Sequence, residues 1–483
     1  MSESNCCRGG VAAASASETD AAPQAKAVKK IKLSDPLRAA LENTTASAKV
    51  RAQATSARVR KNIRKLSPLE VNILRNAFEG LYAISNPNDT RGYEWIAGRH
   101  GYPGNYCHLS PPDFYTWHRA YVYEFEERLR DAQQRATGVA TVTLPYWDWT
   151  VIDKTTDDQY GIPKVCSDPS YTDLQTGVVK PNPLYSAYSI ATGKNTTRNP
   201  VQLPLFVNQR KQQVDDALND PDYISAESKI NTGPHGNVHL KTGGGTGDMT
   251  TVRNAAFDPI FWLHHAQVDR IFWLWQRRHG NSTVPQARLD YVAAPWSYTG
   301  KQILDAAGFF HYTYREDELF RPFAAVQRAG LAAVAKQSAP AVSVELGELS
   351  PGFDHARMRL HNTQRTEGSY EVRVFFNQPD ASDKTATDDN PSYGGSFYLF
   401  GHGTCIGDEG HCDVVARREG DQRPPHHYTP QNLTFDVTDA VKTLAKSRKK
   451  RGDVSVSFVV LDAAGEPAAP DEFAFEGVSL ETY

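Results

Sequence analysis

Two aromatic helical segments, each with a histidine on its apolar face, constrain this chain more than any other feature. In "DFYTWHRAYVYEFEERL" Phe114, Trp117, Tyr121, Val122, Phe125 and Leu129 recur at three- and four-residue steps, which predicts a helix burying an aromatic stripe, and His118 lies on that stripe. In "DPIFWLHHAQVDRIFWLWQRR" Asp258 is placed to cap a helix and Pro259 suits its first position; Phe261, His265, Val268, Phe272 and Trp275 then share a face. A buried imidazole has two ring nitrogens to satisfy, so each helix requires partners from elsewhere in the chain.

The histidine distribution supplies them. None of the fifteen histidines precedes His100; His100, His108 and His118 then fall together, and after a long gap come His235, His239, His264 and His265. His235 and His239 have the spacing that places two side chains on one helical face a turn apart; Pro234 suits a first turn, and the glycines from Gly243 to Gly245 end it. A single histidine on an apolar face is ordinarily a satisfied core residue, and an isolated H-x(3)-H is ordinarily coincidence. Six histidines in two groups of three, each group ending on an aromatic helix, instead predict two three-imidazole metal sites facing each other. All-imidazole coordination suits copper, zinc, iron or nickel. No carboxylate stands at ligand spacing in either group, which counts against a dizinc hydrolase and against a two-histidine, one-carboxylate iron site. A copper pair is the first reading and zinc the second.

Length and composition frame the rest. At 483 residues the chain is long for one domain, and a net charge of -3 gives no bulk reason to bind nucleic acid. No run of about 18 apolar residues is present, so no membrane span is expected. The start, "MSESNCCRGGVAAASASETD", lacks a basic leader and an apolar core, and the six cysteines are irregularly spaced; both fit a cytoplasmic, reducing setting. Residues 1–58 are poor in aromatics and are expected to form a disordered or loosely ordered tail. Ser67, Pro68 and Glu70 then open the first strong helix with a capping box. A mainly α domain is expected over 59–325, a linker over 326–344, and a small antiparallel β-sandwich over 345–483, where short runs such as "SYEVRVFF" and "VSVSFVVLDA" are separated by turn residues. The basic run "KSRKKRGD" is expected to be a solvated turn between strands.

The ordered pattern His108, Phe114, Trp117-His118-Arg119, Val122, Glu126, followed by Asp258-Pro259, Phe261-Trp262, His265 and Asp269, resembles the type-3 copper proteins: tyrosinases, catechol oxidases (polyphenol oxidases) and molluscan-type haemocyanins. "LPYWDWT" and the pair Tyr312 and Tyr314 look like further landmarks of the family. The resemblance is strong over roughly residues 58–320, looser over the C-terminal part, and absent from the tail. It implies a four-helix-bundle core holding two copper ions, with His100, His108 and His118 on one copper and His235, His239 and His265 on the other. It further implies His264 beside the ligands and Asp269 in a supporting ion pair, along with Arg119, Glu126 and Asp148. The activity implied is oxidation of small phenols by O2: ortho-hydroxylation of monophenols, oxidation of o-diphenols to o-quinones, or both.

Several details bear on that activity. Relatives strong in hydroxylation often carry an asparagine directly after the first ligand of the second copper; here Gly236 occupies that place and Asn237 follows it. Glu227 is a candidate water-holding acid, and Val252 resembles the residue that overhangs the site. Cys107 precedes His108 directly, where several relatives join a cysteine at another offset to a histidine as a thioether; a buried free thiol is the alternative. The C-terminal domain is expected to pack on the catalytic one, with an aromatic such as Tyr393 or Phe397 either plugging the copper mouth or filling the strand core. Cys405 and Cys412 lie in a glycine-rich loop with His402 and His411, open to copper transfer, a local disulfide or two idle thiols. Reversible O2 binding without turnover, as in haemocyanin, is the alternative function, and a zinc hydrolase the third. The identity of the phenol, the balance of the two activities and the oligomeric state are not encoded in any recognisable motif.

Overall fold

The computed structural model describes residues 57–108, 114–201, 203–315, 341–344, 353–404, 430–447, 454–469 and 472–482. The elements that position the site are a short strand β1 (Arg58–Arg60) and helices α1 (Pro68–Tyr82), α2 (Tyr93–Ala97), α3 (Phe114–Thr137), α4 (Val207–Asn219), α5 (Tyr223–Ile230), α6 (Gly236–Gly243), α7 (Val252–Ala255) and α8 (Ile260–His279). Among the described residues no helix is long and apolar enough to cross a membrane. The expected tail lies almost wholly outside the described residues, as do Cys405, His411 and Cys412.

Local chemistry accounts for the helix boundaries. Ser67 accepts from the Glu70 amide while the Glu70 carboxylate accepts from the Ser67 amide, closing the capping box before α1. Asp258 accepts from the amide of Ile260 at the start of α8 and is itself held by Arg198 in a buried ion pair. Helix α5 runs into α6 through a wider turn over Asn231–His235 that contains Pro234, so Pro234 lies inside a bent helix and not at a fresh start. Gly244, at φ +60°, ends α6.

Helices α3 and α8 form the spine. Their aromatic stripes meet where Phe125 stacks on Trp262 (centroids 3.7 Å apart, planes 7° apart) and where Tyr115 stacks on Phe272 (4.5 Å, 2°). Strand β1 pairs in parallel with β2 (Tyr312–Tyr314), and this pair brings Arg60, Tyr312 and Tyr314 to Asp269. Arg119 reaches the same carboxylate from α3. Asp269 therefore ties both ends of the domain to its two central helices, with every partner buried.

The C-terminal part builds two antiparallel sheets. One has strand order β6-β5-β8-β3, from β3 (Ala341–Val344), β5 (Tyr370–Phe376), β6 (Tyr393–Leu399) and β8 (Val454–Asp462); the other has β7-β4-β9, from β4 (Ala356–Thr363), β7 (Gln431–Asp436) and β9 (Gly477–Thr482). Met358 and Leu360 of β4, Val372 and Val374 of β5, Phe397 of β6 and Phe458 of β8 share one apolar cluster. Strand β3 falls in the segment expected as a linker and pairs with β8. Helix α9 (Thr438–Ser447) occupies the start of the basic run that was expected to be a turn, because its apolar residues Val441 and Leu444 bury against the strands; residues 448–453 lie outside the description.

Candidate metal centre

Five segments deliver imidazoles to one buried place. Helix α3 carries His118, the α5–α6 turn ends on His235, α6 carries His239, and α8 carries His264 and His265; His100 follows α2, whose last carbonyls, of Ile96 and Ala97, both accept from the Tyr121 hydroxyl of α3. The rings of His118 and His265 lie nearly parallel with centroids 4.4 Å apart. His100 stands 5.7 Å from His118, and His235 stands 5.1 Å from His265. The Nε2 atoms of His239 and His265 are 3.3 Å apart.

Four of these rings are oriented by backbone carbonyls. The Nδ1 atoms of His100, His118, His235 and His239 lie 2.8, 2.7, 3.1 and 2.8 Å from the carbonyl oxygens of Val252, Phe114, Asn231 and Met249. A carbonyl only accepts, so each Nδ1 carries the proton and each Nε2 presents a lone pair to the site. Burial disfavours the charged ring: it pulls His100 down to about 4 and His235 to about 3, and holds His118, His239, His264 and His265 well below the usual histidine range. Nε2 of His235, Nδ1 of His265 and both ring nitrogens of His264 are buried without a hydrogen-bond partner. Neutral imidazoles with unanswered nitrogens are the donor set a copper or zinc ion takes.

Among the described residues two groups of atoms lie close enough to hold a metal: His235, His239, His264 and His265, and His100, Cys107 and His118. His264, expected beside the ligands, is thus drawn into the second cluster, its ring 4.7 Å from that of His239. In the first cluster the Sγ of Cys107 lies 3.6 Å from Nε2 of His118. Burial pushes the Cys107 thiol far above its usual range. The side chain of His108 lies outside the described residues, so the third imidazole of that cluster is not placed.

The remaining candidates serve the frame. Glu227 accepts from the Tyr115 amide at the start of α3, pairs with Arg288 and does not line the cavity over the site. Asn237 is turned away as well: its amide donates to the Tyr398 hydroxyl, and its oxygen accepts from the buried Arg210. Val252 contributes its carbonyl to His100, and its side chain does not line the cavity over the site. Gly236 permits close approach of the C-terminal sheet, since a Cβ there would lie 2.4 Å from Cβ of Tyr398.

That sheet covers the site. Phe400, just after β6, sets its ring 4.1 Å from that of His239 and 6.1 Å from that of His235. Of the two roles expected for Phe397 and Tyr393, the structure shows packing among the strands: Phe397 stacks on Phe435 inside the strand core, and Tyr393 packs on Phe375 in a separate apolar cluster. Phe400 was missed because it sits just past the strand end, where alternation no longer predicts direction. The sheet is fastened by a buried ion pair between Lys241 and Glu371, by the Val252 amide donating to the Gly401 carbonyl at 2.8 Å, and by the Ser369 hydroxyl donating to the Thr250 carbonyl.

The fold is helix-rich with small sheets, and it encloses a buried histidine cluster that could hold metal. Residues 90–278 match the common central domain of tyrosinase. Units G and H of a haemocyanin from Sepia officinalis are 31% identical over 243 residues, which is 46% of this chain and 38% of that protein. Between 6% and 54% of the length of such haemocyanins is spanned. A functional unit of octopus haemocyanin shares the fold with TM-score 0.55 at 20% identity, covering 88% of this chain and 99% of that one. A latent aurone synthase, a polyphenol oxidase, does so with TM-score 0.58 at 18% identity, covering 88% and 89%. Residues 90–278 thus carry a central domain of the tyrosinase kind, and the chain shares the fold of haemocyanin units and polyphenol oxidases.

Proposed function

We propose that this protein is a copper-dependent oxidase of small phenols that uses O2, with oxidation of o-diphenols to o-quinones as its main reaction. The observation that carries the reading is the convergence of buried, neutral imidazoles from α3, α6 and α8. We assign His100, His108 and His118 to one copper and His235, His239 and His265 to the other, with His264 held against the second. The bound coppers would supply the redox chemistry on O2 and phenol.

The chain's own residues hold and screen that chemistry. The four carbonyls fix the tautomers, so the rings need no reorientation to receive metal. Phe114 stands 4.6 Å from the His235 ring and lines the cavity, offering an apolar wall to a flat substrate. Hydroxylation of a monophenol also needs its phenolic proton removed, and among the described residues no aspartate or glutamate lines the cavity. That supports diphenol oxidation over hydroxylation. In the finer architecture, we take the helices around the site as a four-helix bundle and the two sheets as a β-sandwich that keeps the intact chain latent, with Phe400 as the covering residue.

The second reading is reversible O2 binding without turnover. It draws on the haemocyanin relatives and on the cover that Phe400 places over His239. Copper-loaded chain and its Phe400→Ala variant, offered catechol under air, separate the two: quinone formation by either supports the oxidase, and its absence from both supports the carrier.

A further inference from the structure

The cavity above the imidazoles encloses about 110 Å³. Helical residues Asn231 and Thr232 contribute to one wall, and Thr363 and Arg365, at and just after the end of β4, contribute to the other. Several buried arginines in this protein have acceptors for their guanidinium groups. Arg60, Arg119 and Arg198 meet carboxylates, and Arg210 meets the carbonyls of Trp149 and Leu203 and the amide oxygen of Asn237. Arg365 is partly buried and has no carboxylate partner among the described residues: its Nε is buried without a hydrogen bond, and the ionisable group that acts on it is the Cys107 thiol. Burial pulls its guanidinium down only to about 10, so it is cationic at neutral pH. Oγ1 of Thr363, in the same wall, is also buried and unpartnered.

A buried guanidinium N–H without an acceptor is costly, and a ligand that supplies the acceptor together with a negative charge removes that cost. A guanidinium presents parallel N–H donors that match the two oxygens of a carboxylate. Size sets the upper bound, since a cavity of roughly 150 Å³ is what a benzene ring occupies. We propose that this cavity is a binding site for a small aliphatic monocarboxylate, gripped by Arg365 and by the hydroxyl of Thr363. The site requires no metal. Under the oxidase reading it gains a consequence, because the cavity opens onto His100, His118 and His235, so a carboxylate seated there blocks the approach of a phenol to them and acts as a competitive inhibitor.

The test uses metal-free full-length chain at pH 7, titrated with sodium acetate and, at matched ionic strength, with sodium chloride. A ligand that binds the folded state raises the unfolding midpoint as it saturates. The expected result is a saturable rise with acetate, none with chloride, at least tenfold weaker binding by R365Q, and several-fold weaker binding by T363V. No saturable rise, an equal rise with chloride, or unchanged acetate affinity in R365Q overturns the proposal. Should R365Q not fold, unchanged affinity in T363V does so instead. With copper loaded, acetate is expected to raise the KM for catechol in the wild type only; an unchanged KM overturns the competition while leaving the metal-free result to stand. Because the titration needs no copper, its failure leaves the oxidase reading untouched.

Discussion

The rings of His118 and His265 lie 4.4 Å apart and 13° from parallel, one delivered by α3 and the other by α8. Each comes from a different cluster, so this contact is where the two sets of imidazoles meet. Replacing His118 by alanine should halve the bound copper, from two ions per chain towards one, and leave the fold intact. Elemental analysis with circular dichroism checks this; two coppers retained by the variant would place its ligand elsewhere.

Acid should weaken the metal-free protein. The folded rings of His100 and His235 protonate only near pH 4 and 3, whereas an unfolded histidine protonates near pH 6.5. Between those values the unfolded chain binds more protons, so stability is fully present above the unfolded value and falls as pH drops through it, levelling off below the folded values. His100 alone accounts for about 3 kcal/mol across that window. Denaturant midpoints from pH 7.5 to 4 read the effect, and a flat profile would contradict the buried neutral rings.

The C-terminal sheet should help retain metal. The carbonyls of Met249 and Val252 orient His239 and His100, and the residues around them are held by Ser369 and Gly401. Ser369→Ala leaves the Thr250 carbonyl without that hydroxyl, a loss of about 1–3 kcal/mol if water does not replace it. Copper extraction by a chelator should then be faster than from the wild type; equal rates would mean that the loop holds its carbonyls unaided.

Phe400→Ala should raise catechol turnover in the intact chain severalfold. Phe397→Ala, by contrast, should lower stability by about 3–5 kcal/mol, since it removes a ring from the strand core. Assays of both variants at equal copper content test the assignment, and higher activity from the Phe397 variant alone would reverse it.

Asp269 is a costly charge to remove, since it pairs with two buried arginines. Asp269→Asn leaves Arg60 and Arg119 buried with less counter-charge, and about 3–5 kcal/mol of stability should be lost. A midpoint within error of wild type would show that Glu126, which pairs with Arg60, suffices for both.

Much of this was legible in the residues. The two aromatic stripes, the capping box at Ser67 and the grouping of histidines all follow from local periodicity, which a single chain displays openly. What escaped depends on contacts distant in sequence. Glu227 and Asn237 stand near the ligands in sequence yet face Tyr115 and Tyr398. Val252 acts through its carbonyl, which no side-chain pattern encodes. Phe400 and Arg365 reach the site only because the C-terminal sheet folds back over α6, bringing together residues more than a hundred positions apart.

The most direct test of the central claim is the optical spectrum of copper-loaded protein on addition of hydrogen peroxide. Two coppers held within reach of one another by these imidazoles should give intense near-ultraviolet absorption that His118→Ala abolishes. A copper-loaded chain that gives no such band would contradict the account.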